Sequence, residues 1–206
     1  MAAGVDTESV LTQSHASCLA SNGQTFVMRY YKDNGSPQLT NSEAVAISAG
    51  GLRIGVVFET DPTDISYFTS AKGTSDAHAA VLQGVDVGQP ADSTIYFAVD
   101  FDATATQAAG AIKTYFQAVF NEIAEMQATM GTPGYAIGVY GDGAVCSEIK
   151  ENSGLAQFSW LAGASSWYGS DTYTSWNLKQ GSSSTTICGI SVDPDNSSGV
   201  FGGFTV

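Results

Sequence analysis

Short apolar runs separated by helical segments recur along the whole chain. This alternation restricts the fold more than any other feature, because repeated βα units build a parallel sheet covered by helices. Eight runs qualify as strands: "AGVD" (3–6), "TFVMRYY" (25–31), "RIGVVFE" (53–59), "TIYFAVD" (94–100), "YAIGVYG" (135–141), "FSWLAGA" (158–164), "TSWNLKQ" (174–180) and "CGISVD" (188–193). Eight strands point to a closed ring, an α/β fold of the compact (β/α)8 TIM-like barrel type. An open doubly wound sheet is the alternative that the same alternation permits.

Several intervening segments carry their own helix signals. "TNSEAVAISAGG" opens with Thr40 three residues before Glu43, a capping-box spacing, and closes on Gly50 and Gly51. From about 105 to 130, Ile112, Tyr115, Phe116, Val119, Phe120, Ile123 and Met126 form one apolar stripe that stops at Gly131, with Pro133 beyond. Weaker helices are expected over 75–84 and 142–151. The chain has 206 residues, where such barrels usually have about 250. Loops must therefore be trimmed, and irregular or missing helices are expected in the last quarter. Nothing resembling a linker divides the chain, so residues 1–206 read as a single domain.

Acidic residues collect at the ends of these strands. Asp6 ends the first, Glu59 the third, Asp100 and Asp102 follow the fourth, and Asp193 and Asp195 close the eighth. In a parallel barrel those ends open on one face, where the active site is built. Burying acids behind a run such as "TIYFAVDFDAT" is costly unless they face a water-filled cleft. Paired carboxylates at a barrel mouth suit glycosidic bond cleavage by acid and base groups, and crowding of like charges keeps one of them protonated near neutral pH. Aromatic rings offer a platform for apolar sugar faces, with Tyr140, Trp167 and Trp176 as candidates; Gln180 and Asp195 join them as substrate-binding candidates.

Net charge narrows the partners. Twenty acidic residues against seven basic ones give −13, which repels nucleic acid and anionic lipid. No apolar run is long enough to cross a bilayer. "MAAGVDTES" lacks the regions of a signal peptide, while low Lys with abundant Ser, Thr, Gly and Asn has a secreted character. The expected location is secreted or cell-wall associated, with a leader outside this sequence; the cytosol is the alternative. A monomer is expected. Cys18, Cys146 and Cys188 permit at most one internal disulfide. His15 and His78 stand alone, and "DPDNSSG" fails as a calcium loop because its sixth position is Ser198 and its twelfth Phe204. No metal ligand set and no organic cofactor are expected.

At "GVDTES", "RIGVVFET", "AKGTSDAHAAVLQG", "IYFAVDFDAT", "IGVYGDG", "SWLAGASSW", "WNLKQ" and "SVDPD", in that order, the chain resembles the glycoside-hydrolase-like barrels known as domain of unknown function 1906. Those in turn are similar to family 25 lysozymes, which cut bacterial cell-wall glycan. The resemblance implies a lysozyme-like glycosidase acting on peptidoglycan or a related amino-sugar polymer. It matches Asp6 to the first-strand Asp of the lysozymes, Asp100 and Asp102 to their fourth-strand Asp-x-Glu, and Asp193 to their eighth-strand acid. Asp102 stands where the lysozymes carry the general-acid Glu. A methylene shorter, it withdraws the proton donor by about an ångström, a misplacement that can cost about a hundredfold in rate. Glu59 is therefore the candidate displaced acid, with Asp100 as its partner.

Each reading has a plainer competitor. Asp102 can cap the long helix, Glu59 can belong to the solvated loop "TDPTD", and Asp195 can form a turn after Pro194. Two other functions fit the same carboxylates: a catalytically inactive carbohydrate-binding barrel, and a metal-dependent hydrolase.

Overall fold

Residues 1–32 and 37–206 are described by the computed structural model. Seven strands run parallel, each beside its predecessor: β1 (Ala2–Asp6), β2 (Phe26–Tyr31), β3 (Arg53–Phe58), β4 (Thr94–Ala98), β5 (Ala136–Gly141), β6 (Phe158–Leu161) and β7 (Leu178–Gln180). A short β8 (Thr185–Ile187) then hairpins into β9 (Ile190–Ser197), and β9 closes the ring by pairing antiparallel with both β7 and β1. The protein is thus an eight-stranded closed barrel in a mixed α/β fold, with β8 as an outer flap.

The last strand departs from expectation. "CGISVD" was expected to be a parallel strand, but it runs the other way. Parallel neighbours need a long crossover, usually a helix, and between β7 and β9 the chain forms none. Instead Cys188 (φ 56°) and Gly189 (φ 80°) make a two-residue turn between Ile187 and Ile190, the geometry that joins antiparallel strands. The seventh strand is also shorter than its apolar run, starting at Leu178 and not at Thr174.

Strand alternation sorts the core into two layers. Outward residues such as Val27, Val56, Phe97 and Val139 meet the helices, whereas Phe26, Met28, Val57, Tyr96, Trp160 and Leu178 fill the ring with Phe201. Close filling requires small residues opposite large ones. At Gly138 a Cβ would lie 2.3 Å from the Tyr96 ring.

Helix α1 (Gln13–Ser21), α2 (Asn41–Ala49), α3 (Ser70–Val87) and a continuous helix over 105–130, with a π-helical stretch at Ala108–Ile112, cover the outside. A helix over 143–152 follows β5, and none lies between β6 and β9. Helix α1 is unforeseen in the sequence reading, although Thr12 and His15 form a full capping box there. In α2 only half of the expected box forms. Thr40 accepts from the Glu43 amide, but the Glu43 carboxylate turns to the fully buried Arg29, at 2.9 and 3.3 Å, and accepts the Leu11 amide at 2.8 Å. Arg29 also donates to the Thr7 carbonyl. The ion pair thereby pins the loop that follows Asp6. Removing one partner of such a pair costs about 3–5 kcal/mol.

One disulfide, Cys18–Cys188, ties α1 to the β8–β9 turn, and Cys146 is free and buried.

Candidate active site

The inward positions of the barrel become ionisable at one end. Asp6 lies two residues beyond Gly4, Tyr30 two beyond Met28, Glu59 two beyond Val57, Asp100 two beyond Ala98, and Gln180 two beyond Leu178. Because strand side chains repeat every second residue, each of these continues an inward row to the rim. Asp193 joins from β9, paired in register with Asp6. Its opposite strand direction changes only the depth order, leaving Asp195 a step further inside.

Asp6, Tyr30, Glu59, Asp100, Tyr140, Trp160, Gln180 and Asp193 line a hollow of about 270 Å³. Two further hollows adjoin it, and all three share Asp193. One, of about 340 Å³, runs over Thr7, Glu8 and Ser191; the other, of about 280 Å³, is flanked by Trp167 and the Ser182–Ser184 loop. Together they form a cleft across the mouth. A larger groove between α3 and the 105–130 helix, about 470 Å³, lies far from these acids and gathers no comparable group of them.

Hydrogen bonding divides the carboxylates into two kinds. Asp6 is held: Tyr30 Oη donates to Oδ1 at 2.8 Å and Gln180 Nε2 to Oδ2 at 2.9 Å, while Tyr140 Oη donates to Gln180 Oε1 at 3.0 Å. Glu59 and Asp100 face the hollow, and among the described residues no side chain or amide hydrogen-bonds their carboxyl groups. Burial, reinforced by the Asp100 charge and opposed by Lys32, pushes the Glu59 carboxyl up to about 7. Burial raises Asp6 to about 6 against its hydrogen bonds from Gln180 and Tyr30, and burial also raises Asp100. Near neutral pH the mouth therefore holds a carboxyl poised to give a proton beside others that are ionised. Burial raises the Tyr30 and Tyr140 hydroxyls too, so both remain donors.

Three candidates from the sequence do not meet this cleft. Asp102 is exposed and accepts the Tyr168 amide at 2.7 Å, acting as a latch on the 162–177 loop. Trp176 precedes β7, at the opposite end of the barrel, where its carbonyl accepts from Ser198; the apolar run that includes it is longer than the strand. Asp195 is 1% exposed and lies inside the ring, bound by Trp160 Nε1 at 2.9 Å, too deep to touch a ligand in the hollow. Asp6, Glu59, Asp100, Asp193, Tyr140, Trp167 and Gln180 do converge. Tyr30 is the residue that the sequence reading missed; its place two beyond inward Met28 was the available signal. Trp160, read from the sequence as core in preference to a sugar platform, forms the hollow's floor, with Tyr140 edge-on to it at 4.8 Å. Among the described residues no three His, Cys, Asp or Glu side chains group as metal ligands.

A closed eight-stranded ring with acids from separate strands around a sugar-sized cleft defines a glycoside-hydrolase-like barrel. The chain belongs to the family of the Rv2525c-like, glycoside hydrolase-like domain, whose model matches residues 17–196. It is 32% identical to the protein YbfG of Bacillus subtilis (strain 168), over 96% of this chain and 29% of that one. The chain spans about a third of the length of the curated relatives it matches. Among solved structures it is similar to the Tat-secreted protein Rv2525c of Mycobacterium tuberculosis, with a TM-score of 0.77 and 20% identity over 98% of both chains. It also resembles the lysozyme of Streptomyces coelicolor, with a TM-score of 0.61 and 14% identity over 96% of this chain and 92% of that one. Both structural likenesses are of fold.

Proposed function

We propose that the protein is a glycosidase that cleaves peptidoglycan or a related amino-sugar polymer with Glu59 as proton donor. The observation that carries this reading is the pair Glu59 and Asp100, two carboxyls facing one hollow that no side chain or amide hydrogen-bonds among the described residues, with Glu59 held at about 7. Glu59 gives its proton to the glycosidic oxygen as the bond to the anomeric carbon breaks. Asp100 supports the positive charge developing there, and the water that replaces the leaving group loses its proton to a carboxylate. Asp6, fixed by Tyr30 and Gln180, supplies a steady negative charge beside it. Trp167 flanks the cleft as a stacking surface. The disulfide fits an oxidising compartment, and a Tat-secreted structural neighbour agrees with a secreted location. The test is release of reducing ends from cell-wall glycan by the wild type and by Glu59→Gln and Asp100→Asn. Loss in both variants is expected, and unchanged turnover in both removes the assignment.

A second reading, a carbohydrate-binding barrel without catalysis, is favoured by one observation. Where the lysozymes carry their Glu, Asp102 is exposed and bound to a loop amide. Glycan binding by the wild type with no turnover on long incubation would establish it.

A further inference from the structure

Asp195 is a titratable group that the proposed chemistry leaves unused, and its surroundings are unusual for an aspartate. It is 1% exposed. From β4, β5, β6 and β7 it is faced by Tyr96, Tyr140, Trp160 and Gln180, and the charged groups nearest it are Asp6 and Asp193, both of its own sign. No Lys, Arg or His pairs with it among the described residues. Its Oδ1 accepts one hydrogen bond, from Trp160 Nε1 at 2.9 Å, while its Oδ2 is buried and receives none. The Asp195 and Asp6 carboxyls are within hydrogen-bonding reach of each other, and both oxygens of Asp6 already accept from Tyr30 and Gln180.

A carboxylate so placed would be an unpaired buried charge against a second carboxylate, an arrangement in which both groups cannot ionise. We propose that Asp195 is a neutral carboxylic acid whose Oδ2–H donates to Asp6, a positioning residue that joins the Trp160 floor of the cleft to the Asp6 carboxylate. One proton then satisfies both acids. Asp6 gains a third donor, fixing its orientation and leaving it a single charge at the base of the mouth. Burial and the Asp6 charge both raise the Asp195 carboxyl well above the ordinary range, in the same direction.

The effect on turnover rests on the glycosidase reading, but the protonation state does not, so the two are measured apart. In 13C-labelled wild-type protein, the Asp195 Cγ resonance should keep its acid-form shift across neutral pH while Asp6 titrates near 6. A carboxylate-form shift for Asp195 at neutral pH overturns the proposal, whether or not the protein turns over glycan. Asp195→Asn reproduces the neutral acid, with its carbonyl accepting from Trp160 and its amide donating to Asp6. It should keep the wild-type melting temperature and turnover within about threefold, while Asp195→Ala loses about tenfold or more in turnover by freeing the residues it orients. Its Asp6 titration should also move upward for want of a donor. Equal damage from Asn and Ala would show that the charge, and not the proton, is what the site needs.

Discussion

The two ends of the barrel are built from the same inward-facing rows and differ in every other respect. At the closed end Phe26, Met28 and Phe201 pack together, Tyr96 donates to the Phe201 carbonyl at 2.9 Å, and an isolated bridge joins Ile54 to Phe204. At the open end the same rows finish in Asp6, Glu59 and Asp100, held above their ordinary protonation range by burial. One end contributes stability by removing apolar surface from water; the other gives some of it up to keep acids close together. The division places the acids where the strands release their side chains, so that stability and the proposed turnover should be separable by mutation.

Glu59→Gln should separate them most sharply. Loss of a positioned acid lowers turnover by about 10²–10⁴-fold, while the melting temperature stays level or rises because the repulsion with Asp100 is relieved; hydrolysis assays and calorimetry on one preparation check both. Phe201→Ala is its mirror image at the closed end. A cavity among Phe26 and Met28 should cost about 3–5 kcal/mol in denaturant unfolding, with glycan turnover per folded molecule unchanged. If Phe201→Ala lost turnover at low temperature without losing fold, the ends would be coupled and not separate.

The acids also give the mouth a pH signature. Glu59 is raised from 4.5 to about 7 and Asp6 from 3.8 to about 6, so the folded state binds more protons than the unfolded chain between those limits. Their contribution is fully present below the unfolded values and is lost as pH rises through the folded ones. Stability should therefore fall between about pH 4 and pH 7, by at most about 3 kcal/mol from Glu59, and unfolding curves for Glu59→Gln should show a shallower slope. Smaller still are the contrasts among aromatic residues and salt. Trp167→Ala should weaken glycan binding about tenfold by loss of stacking, whereas Trp176→Ala, at the other end, should leave it unchanged in the same titration. With a net charge of −13, adsorption to an anionic cell wall should strengthen as added salt screens the repulsion.

Much of this contrast is legible in the residue order. The ends of β1 to β6 lie within three residues of the apolar runs, and the long helix ends at Gly131 in the left-handed conformation that its stop signal implies. Asp6, Glu59 and Asp100 could be gathered on one face because strand direction and alternation suffice to place them. Local pattern and chain path diverge in two places. "TSWNLKQ" alternates polar residues with Trp176 and Leu178 as a strand would, yet only Leu178–Gln180 joins the sheet, so Trp176 fell to the wrong end. "CGISVD" looks like any other strand, but it turns back from β8 at Cys188 and Gly189 and closes the ring by antiparallel pairing with β7 and β1.

The sequence by itself determined the alternating elements and the parity that aims certain acids inward, because both are written in the spacing of neighbouring residues. Only the tertiary structure decided which acids are free and which are tied. Among the described residues the Glu59 carboxyl has no hydrogen-bond partner, Asp102 is spent on the Tyr168 amide, and Asp195 sits beneath Asp6. Those distinctions depend on contacts across 66, 174 or more positions of chain, distances over which no local periodicity carries information.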